Sequence, residues 1–331
     1  MNTGRNKELD IIKGIGIILM ILAHTYGPGS LLWRLVYPFH MPLFYIISGY
    51  FYKEKDTLTI IKGSYIRLIK PYLFICITVT LIRFVQHLTN PNIQFLDIYG
   101  ILNGIGPGWF LLSLFWCRLF FNLIIKMRPK HFLILSIIIS SIVTMFFPIL
   151  HIKIHFALPQ GLSCLVFLAI GYTAKQKNIL TILSSHTFFI LTLSIFFWLI
   201  TCIYGKVEVS NCTYKLWLID YLGAIGGTCL CYYMAKCINK HSKITSTIIC
   251  YISKYSIAIL SFHSIDYTIF FWHHFDGVIK SENMLTIIAL GRFIIAFLSI
   301  FITSRIPFLY HLFVGKGLHI SNSGPDTIKI H

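Results

Sequence analysis

Runs of about twenty apolar residues, separated by short polar connections, recur along most of this chain. Only helices and closed barrels cross a hydrocarbon layer, because no water is there to satisfy the backbone. Barrel strands would read as segments of about ten residues alternating between apolar and polar. No such alternation is present, so the runs read as helices. Composition agrees: 56% of the 331 residues are hydrophobic, only 12% are charged, and the mean hydropathy is +0.76. A soluble domain carries about 25% charged residues. A chain this apolar cannot wet the surface of a globule, which excludes ordinary soluble, fibrous and disordered classes. The expected fold class is all-α: a polytopic integral membrane protein with about ten transmembrane helices.

The expected spans are 9–26, 38–52, 71–88, 107–125, 132–150, 158–174, 186–204, 216–235, 255–272 and 285–303. The segment 38–52 is short and opens with Pro38 and Pro42. Proline is tolerated in the first turn of a helix, so a helix is still expected there. An even number of spans puts both termini on one side. Of 28 Lys and Arg residues, 20 lie at the N-terminus with Lys13 and in 52–70, 126–131, 175–185, 236–254 and 304–331. The opposite loops hold five: Arg34, Lys153, Lys206, Lys215 and Lys280. Arg83, Arg118 and Arg292 fall within spans.

The positive-inside rule then places both termini in the cytoplasm of a multi-pass plasma-membrane protein, and a bacterial source is expected. Orientation largely explains the net charge of +17, and no nucleic-acid partner is expected. The nine cysteines lie mostly in apolar runs, without Cys-x-x-Cys or Cys/His metal spacing. They read as small core residues, and no metal is expected. The first run has no small-residue cleavage motif after it, so it is expected to remain as a span. Residues 306–331 read as a polar cytoplasmic tail.

Ionisable side chains are costly inside a bilayer and tend to mark function there. The first span has Glu8, Asp10 and Lys13 at its cytoplasmic end and His24 near its outer end. Lys13 and His24 share a helix face, about 16 Å apart along the axis. Asp10 can pair with Lys13. On spacing alone, a solvated helix end with an interfacial histidine explains this set equally well. In the second segment Ser48 and Gly49 are small enough to let helices approach. Packing is the favoured role for Ser48, since no Gly-x-Ser-x-Gly elbow surrounds it. His40 is expected near the outer surface.

Arg67 and Lys70 are three apart and are expected to share a face that binds phosphates, or simply to anchor the third span. Trp109, after a Gly-Ile-Gly-Pro-Gly turn, reads as a lipid anchor. His263 and Asp266 share a face of the ninth span. Arg292, in mid-span, should turn inward towards Asp266 or a ligand anion, and Asp220 is a candidate for the same cavity.

Lys13 with His24, then FHMPLFYIISGY, then RLIKPYL, resemble the transmembrane acyltransferase-3 family, most closely its sugar O-acetyltransferase branch of fucose 4-O-acetylase-like proteins. WFLLSLF and ISKYSIAILSFH are similar to family positions too. The likeness runs over residues 5–305 as one transmembrane acyltransferase-3-like domain. It implies ten helices that move an acetyl or other acyl group from cytoplasmic acetyl-CoA (acyl-CoA) to a saccharide hydroxyl. The acceptor would be a cell-envelope saccharide or lipid-linked glycan, met among membrane lipid.

By carry-over, Lys13 and His24 fill the family's basic-x10-His pattern. Phe44 to Gly49 fill its Phe-Phe-x-x-Ser-Gly pattern, with Tyr45 in place of the second Phe. Arg67 and Lys70 fill its Arg-x-x-Arg pattern, with Lys for the second Arg. His24, with Lys13 and Asp10, is the expected catalytic set. Arg67, Lys70 and Lys13 are expected to hold the phosphates of the donor. Tyr45, Ser48, His40 and Arg292 are candidates for the acceptor and for the developing oxyanion. A transporter or flippase of a lipid-linked saccharide would also fit ten spans with buried charges, although no symmetric halves are visible. A scaffold in envelope assembly is the remaining alternative. The oligomeric state is not legible.

Overall fold

The computed structural model of the protein describes residues 6–91, 100–101, 104–150, 154–269 and 282–315. Arg5, Lys153, Lys280 and the tail beyond Gly315 lie outside the described residues.

The described chain is helical almost throughout. Helix α1 spans Lys7–Tyr26 and α2 Leu31–Tyr50. Then come α3, Thr57–Ser64, a π-helical turn at Tyr65–Ile69, and α4, Lys70–Thr89. A 3-10 turn at Gly106–Gly108 opens α5, Trp109–Met127, and α6 spans Phe132–Leu150. Helices α7, α8, α9 and α10 cover Leu158–Ser163, Leu165–Gln176, Ile179–Ser185 and Thr187–Tyr204. Strands β1, Val207–Glu208, and β2, Thr213–Tyr214, form a small antiparallel hairpin. Helices α11 to α15 cover Leu218–His241, Lys243–Lys254, Ser256–Ile269, Glu282–Arg305 and Pro307–Phe313.

Among the described residues seven helices are long and apolar enough to cross a membrane, or eight if α12 and α13, bent by 66°, form one span. Within the described residues every expected span falls on helix, residues 270–272 of the ninth lying outside them, but α2 and the α7–α8 pair do not meet that standard, so the count of ten is not reached on length and apolarity alone. Two stretches differ from the sequence reading. The helix expected at 38–52 begins at Leu31, and Pro38 and Pro42 lie inside it rather than opening it. Internal proline removes a ladder bond. Two other carbonyls of this helix take side-chain partners: Trp198 donates Nε1 to the Leu35 carbonyl at 3.0 Å, and His40 Nδ1 lies 3.2 Å from the Tyr37 carbonyl. The loop expected at 236–254 is helical, with α11 running to His241 before α12 starts. Residues 307–313 form α15, with Leu309 and Phe313 buried.

Sequence explains the placement of the central elements. Asn6 caps α1 by accepting the Leu9 N–H at 3.2 Å, beside Glu8 and Asp10, which suit the positive end of a helix dipole. The helix stops at Gly27, whose φ of 67° is the left-handed conformation glycine adopts without strain. Between these ends Ile11, Ile17, Met20 and Ile21 are all buried, so α1 runs through the middle of the bundle. Helices α2 and α8 lie in close backbone contact. A Cβ on Gly49 would strike the Leu168 carbonyl, and one on Gly171 would strike the Ile46 carbonyl. The small residue expected to let helices approach is therefore Gly49, with Gly171 as its counterpart.

Candidate active site

Near the C-terminal end of α1, His24 is surrounded by rings from two other helices. Its ring centroid lies 5.4 Å from His263 and 5.7 Å from Tyr267 on α13, and 6.0 Å from His40 and 6.3 Å from Tyr37 on α2. Helical spacing builds this cluster: Tyr37 precedes His40 by three and Tyr267 follows His263 by four, so each pair shares a face. The Tyr37 carbonyl only accepts, so His40 donates from Nδ1 and its Nε2 is left with a lone pair. His24 Nδ1 and His263 Nε2 are buried and find no hydrogen-bond partner among the described residues.

Arg292 reaches the edge of this cluster from α14. Its Nε lies 3.2 Å from Asp266 Oδ2, its Nη1 donates to Thr25 Oγ1 at 3.1 Å, and its guanidinium sits 5.9 Å from the Tyr267 ring centre. Of the two partners open to Arg292 in the sequence, Asp266 is the one it meets. Asp220 does not join them. It is fully buried at the start of α11, where Oδ2 accepts the N–H groups of Leu216 at 2.8 Å and Lys206 at 3.3 Å and so ties down the β-hairpin.

Three cavities adjoin one another, the first two of them along α1. The innermost, about 20 Å³, is lined by His24, His40, Tyr37 and Trp109 and covered by Val207 and Val209 of the hairpin segment. Met20, Met41 and Leu260 line it and also a second cavity of about 260 Å³. That duct is mostly apolar, with Phe44, Ile47 and Leu114, and carries Lys13, Ser48, Arg118 and Ser256 as its polar groups. Leu68, Arg118 and Ile257 are shared in turn with a vestibule of about 570 Å³. Lys53, Lys55, Lys62, Arg67 and Arg118 line this vestibule. Asp56 caps α3 at its edge, accepting the Thr59 N–H at 2.7 Å and the Thr59 hydroxyl at 2.6 Å, bonds that hold its carboxyl below the usual range.

The structure corrects several sequence expectations. His40 is not at a membrane surface: it is 1% exposed and faces His24. Trp109 is only half-buried, but it lines the His24 chamber rather than serving solely as a lipid anchor. Tyr45 is fully buried and bonds Ser113, packed edge-on against Phe110 at 5.3 Å, so it is a core residue away from the three cavities. Ser48 does line the duct, where it accepts from Arg118 Nη1 at 3.2 Å, but eight residues of helix, about 12 Å, separate it from His40. Arg67 and Lys70 do not share a face. The π turn rotates the chain between them, so Arg67 lines the vestibule while Lys70 lies 6.0 Å over the Tyr65 ring, outside it. Lys13 lines the duct and its Nζ is 4.0 Å from Asp10.

Sequence reading overlooked Tyr37, Tyr267 and the vestibule lysines as site residues. The spacings to His40 and His263 carried a signal for the two tyrosines. Nothing in the sequence foretold that the hairpin would close the chamber.

The acyltransferase-3 family model, described as an acyltransferase domain, matches residues 6–311. No curated protein and no solved structure matches the chain. The match takes in every helix that lines the chamber, the duct and the vestibule, and with its apolar helical bundle the chain belongs to the acyltransferase-3 family of membrane acyltransferases.

Proposed function

We propose that the protein transfers an acetyl or other acyl group from cytoplasmic acyl-CoA to a hydroxyl of a cell-envelope saccharide, with His24 as general base. The observation that carries this reading is the row of adjoining cavities, each sharing lining residues with the next, from a vestibule rich in Lys and Arg to the His24 ring. Coenzyme A has one highly anionic end and one long, nearly neutral arm ending in the thioester. Arg67, Lys53, Lys55 and Lys62 suit the phosphates. The apolar duct suits the arm, and its reach from Lys13 to His24, about 16 Å, brings a thioester to the histidines. The orientation rests on the sequence count of basic residues, 20 in the segments of the vestibule side against five in the others, which supports a cytoplasmic vestibule with His24 in the outer half of the membrane.

In this mechanism His24 takes the proton of the acceptor hydroxyl as its oxygen attacks the thioester carbonyl. The new carbon–oxygen bond forms, the carbon–sulfur bond breaks, and the proton held by His24 passes to the departing thiolate. The products are the ester and coenzyme A. Arg292, fixed by Asp266 and Thr25, supplies positive charge at the edge of the site for the developing oxyanion. His263 and Tyr267 orient the His24 ring through packing.

The test uses purified protein in lipid nanodiscs with acetyl-CoA labelled in the acetyl group, following binding and coenzyme A release. The expected result is binding with slow release by the wild type, binding weakened about tenfold in Arg67→Ala, and binding without turnover in His24→Ala. If wild type neither binds nor cleaves acetyl-CoA or longer acyl-CoAs, the transferase reading fails, and movement of an unmodified saccharide becomes the assay to run.

A further inference from the structure

A fourth cavity, of about 270 Å³, opens on the far side of the His24 chamber from the duct. Tyr37 and Val207 line both, so they form the wall between them. The lining also includes Trp33, Arg34, Lys206 and Lys215. Sequence topology assigns only five basic residues to the loops of this side, and three of them, Arg34, Lys206 and Lys215, converge here. Topology alone predicts the opposite, since the outer side is the one depleted of Lys and Arg.

The arrangement that gathers them is costly in itself. Lys206 and Lys215 flank the paired residues Val207 and Tyr214, and the Lys215 N–H donates to the Lys206 carbonyl at 3.1 Å. Like charges opposite one another in a hairpin destabilise it. Glu208 offsets Lys206 at 2.7 Å, and Asp220 at the base is occupied by two backbone N–H groups. Arg34 and Lys215 are exposed, and Arg34 approaches from α2, where it bonds the Cys202 carbonyl at 3.4 Å. Beside these cations, Trp33 and Tyr37 stack with centroids 4.4 Å apart. Aromatic faces of this kind suit the apolar C–H face of a sugar ring, while their polar edges remain free for hydroxyls.

We propose that this cleft docks the acceptor, and that the acceptor is an anionic saccharide, carrying carboxylate or phosphate groups that Arg34, Lys206 and Lys215 engage. This inference rests on the transferase reading for its biological sense but not for its test. The inner chamber, about 20 Å³, is too small for a sugar ring, so the ring stays in the outer cleft with one hydroxyl directed across Tyr37 and Val207 towards His24.

The experiment measures binding by equilibrium dialysis to protein in zwitterionic nanodiscs, without acyl-CoA. The probes are tetragalacturonate, glucose 1-phosphate and neutral maltotetraose. A charged probe is expected to bind at least about tenfold more tightly than maltotetraose and to weaken as salt rises from about 0.05 to about 0.5 M. Arg34→Gln and Lys215→Gln should each remove most of that advantage, and Trp33→Ala should weaken charged probes without altering their salt dependence. Thermal unfolding and gel filtration check that each variant is folded. Equal binding of charged and neutral probes, no binding of any, or an advantage that survives Arg34→Gln together with Lys215→Gln would overturn the proposal. So would loss of probe binding when phosphatidylglycerol is added, which would make the cleft a lipid-headgroup site. Failure of the acyl-CoA assay with this preference intact would fault the transferase reading alone.

Discussion

Arg292 and Asp266 join α14 to α13 within the membrane-spanning bundle, Nε to Oδ2 at 3.2 Å, with 9% and 5% of their side chains exposed. Removing one member of a buried pair leaves the other uncompensated, at a typical cost of about 3–5 kcal/mol. Asp266→Ala should therefore lower the unfolding temperature clearly. Replacing both, as Asp266→Leu with Arg292→Met, should restore much of the stability, because paired apolar groups of similar volume avoid the charge penalty. Turnover should not return, since the double variant lacks the cation beside His24. Recovery of activity with stability would show that the pair is only a strut.

His24 stands in a group of three histidines, and the mechanism assigns the base to one of them. His24→Ala should slow transfer by about 10²–10⁴-fold while leaving acyl-CoA binding close to wild type. His40→Gln should have a smaller effect, because its Nδ1 is committed to the Tyr37 carbonyl. Single-turnover measurements with labelled donor separate binding from chemistry. Normal turnover in His24→Ala would move the role of base to His40 or His263.

The vestibule makes a prediction that separates structure from sequence. Arg67 lines the basic cavity and Lys70 does not. Arg67→Ala should raise the KM for acyl-CoA by roughly tenfold, the scale of one charge-assisted hydrogen bond of about 1.5 kcal/mol. Lys70→Ala should change it little. Equal effects of the two substitutions would mean that the π turn does not separate them in the working protein.

These contrasts show what was legible in the chain. Apolar run lengths located the helices because burial in lipid imposes the same demand on each span. The Lys13–His24 face followed from helical geometry. What sequence could not give were departures from regular geometry. Pro38 and Pro42 suggested a helix start, yet α2 begins at Leu31 and continues through both, and this places Tyr37 on the same helix as His40. The π turn broke the apparent three-residue face of Arg67 and Lys70. Tyr45 and Ser48 sit three apart in one motif, about 60° apart around the helix, and only the packing of α2 decides which of them meets a cavity.

The contact between α2 and α8 predicts a stability effect with an activity readout. Gly49→Ala and Gly171→Ala each place a methyl group against backbone rather than a movable side chain. Overpacking of this kind costs about 1–3 kcal/mol. Because α2 carries His40, Met41 and Ser48, a shift of this helix should also distort the chamber and the duct. Thermal unfolding should fall in both variants, and kcat should fall further than stability explains. Wild-type melting and turnover would show that the two helices can separate freely.

Native cysteines test the orientation on which the function depends. Cys237 is exposed near the end of α11 that lies on the vestibule side. Cys212 is buried in the hairpin segment on the opposite side, and burial pushes its thiol up to about 12. The thiolate is the reactive form, so Cys212 stays protonated and inert near neutral pH and becomes reactive only as pH approaches that value. With intact cells, a membrane-impermeant maleimide should leave both residues unlabelled. Permeabilising the cells should expose Cys237, with the signal lost in Cys237→Ser, while Cys212 remains unlabelled until the protein is denatured. Labelling of Cys237 from outside would invert the topology, place the basic vestibule away from cytoplasmic acyl-CoA, and remove the main support for the proposed direction of transfer.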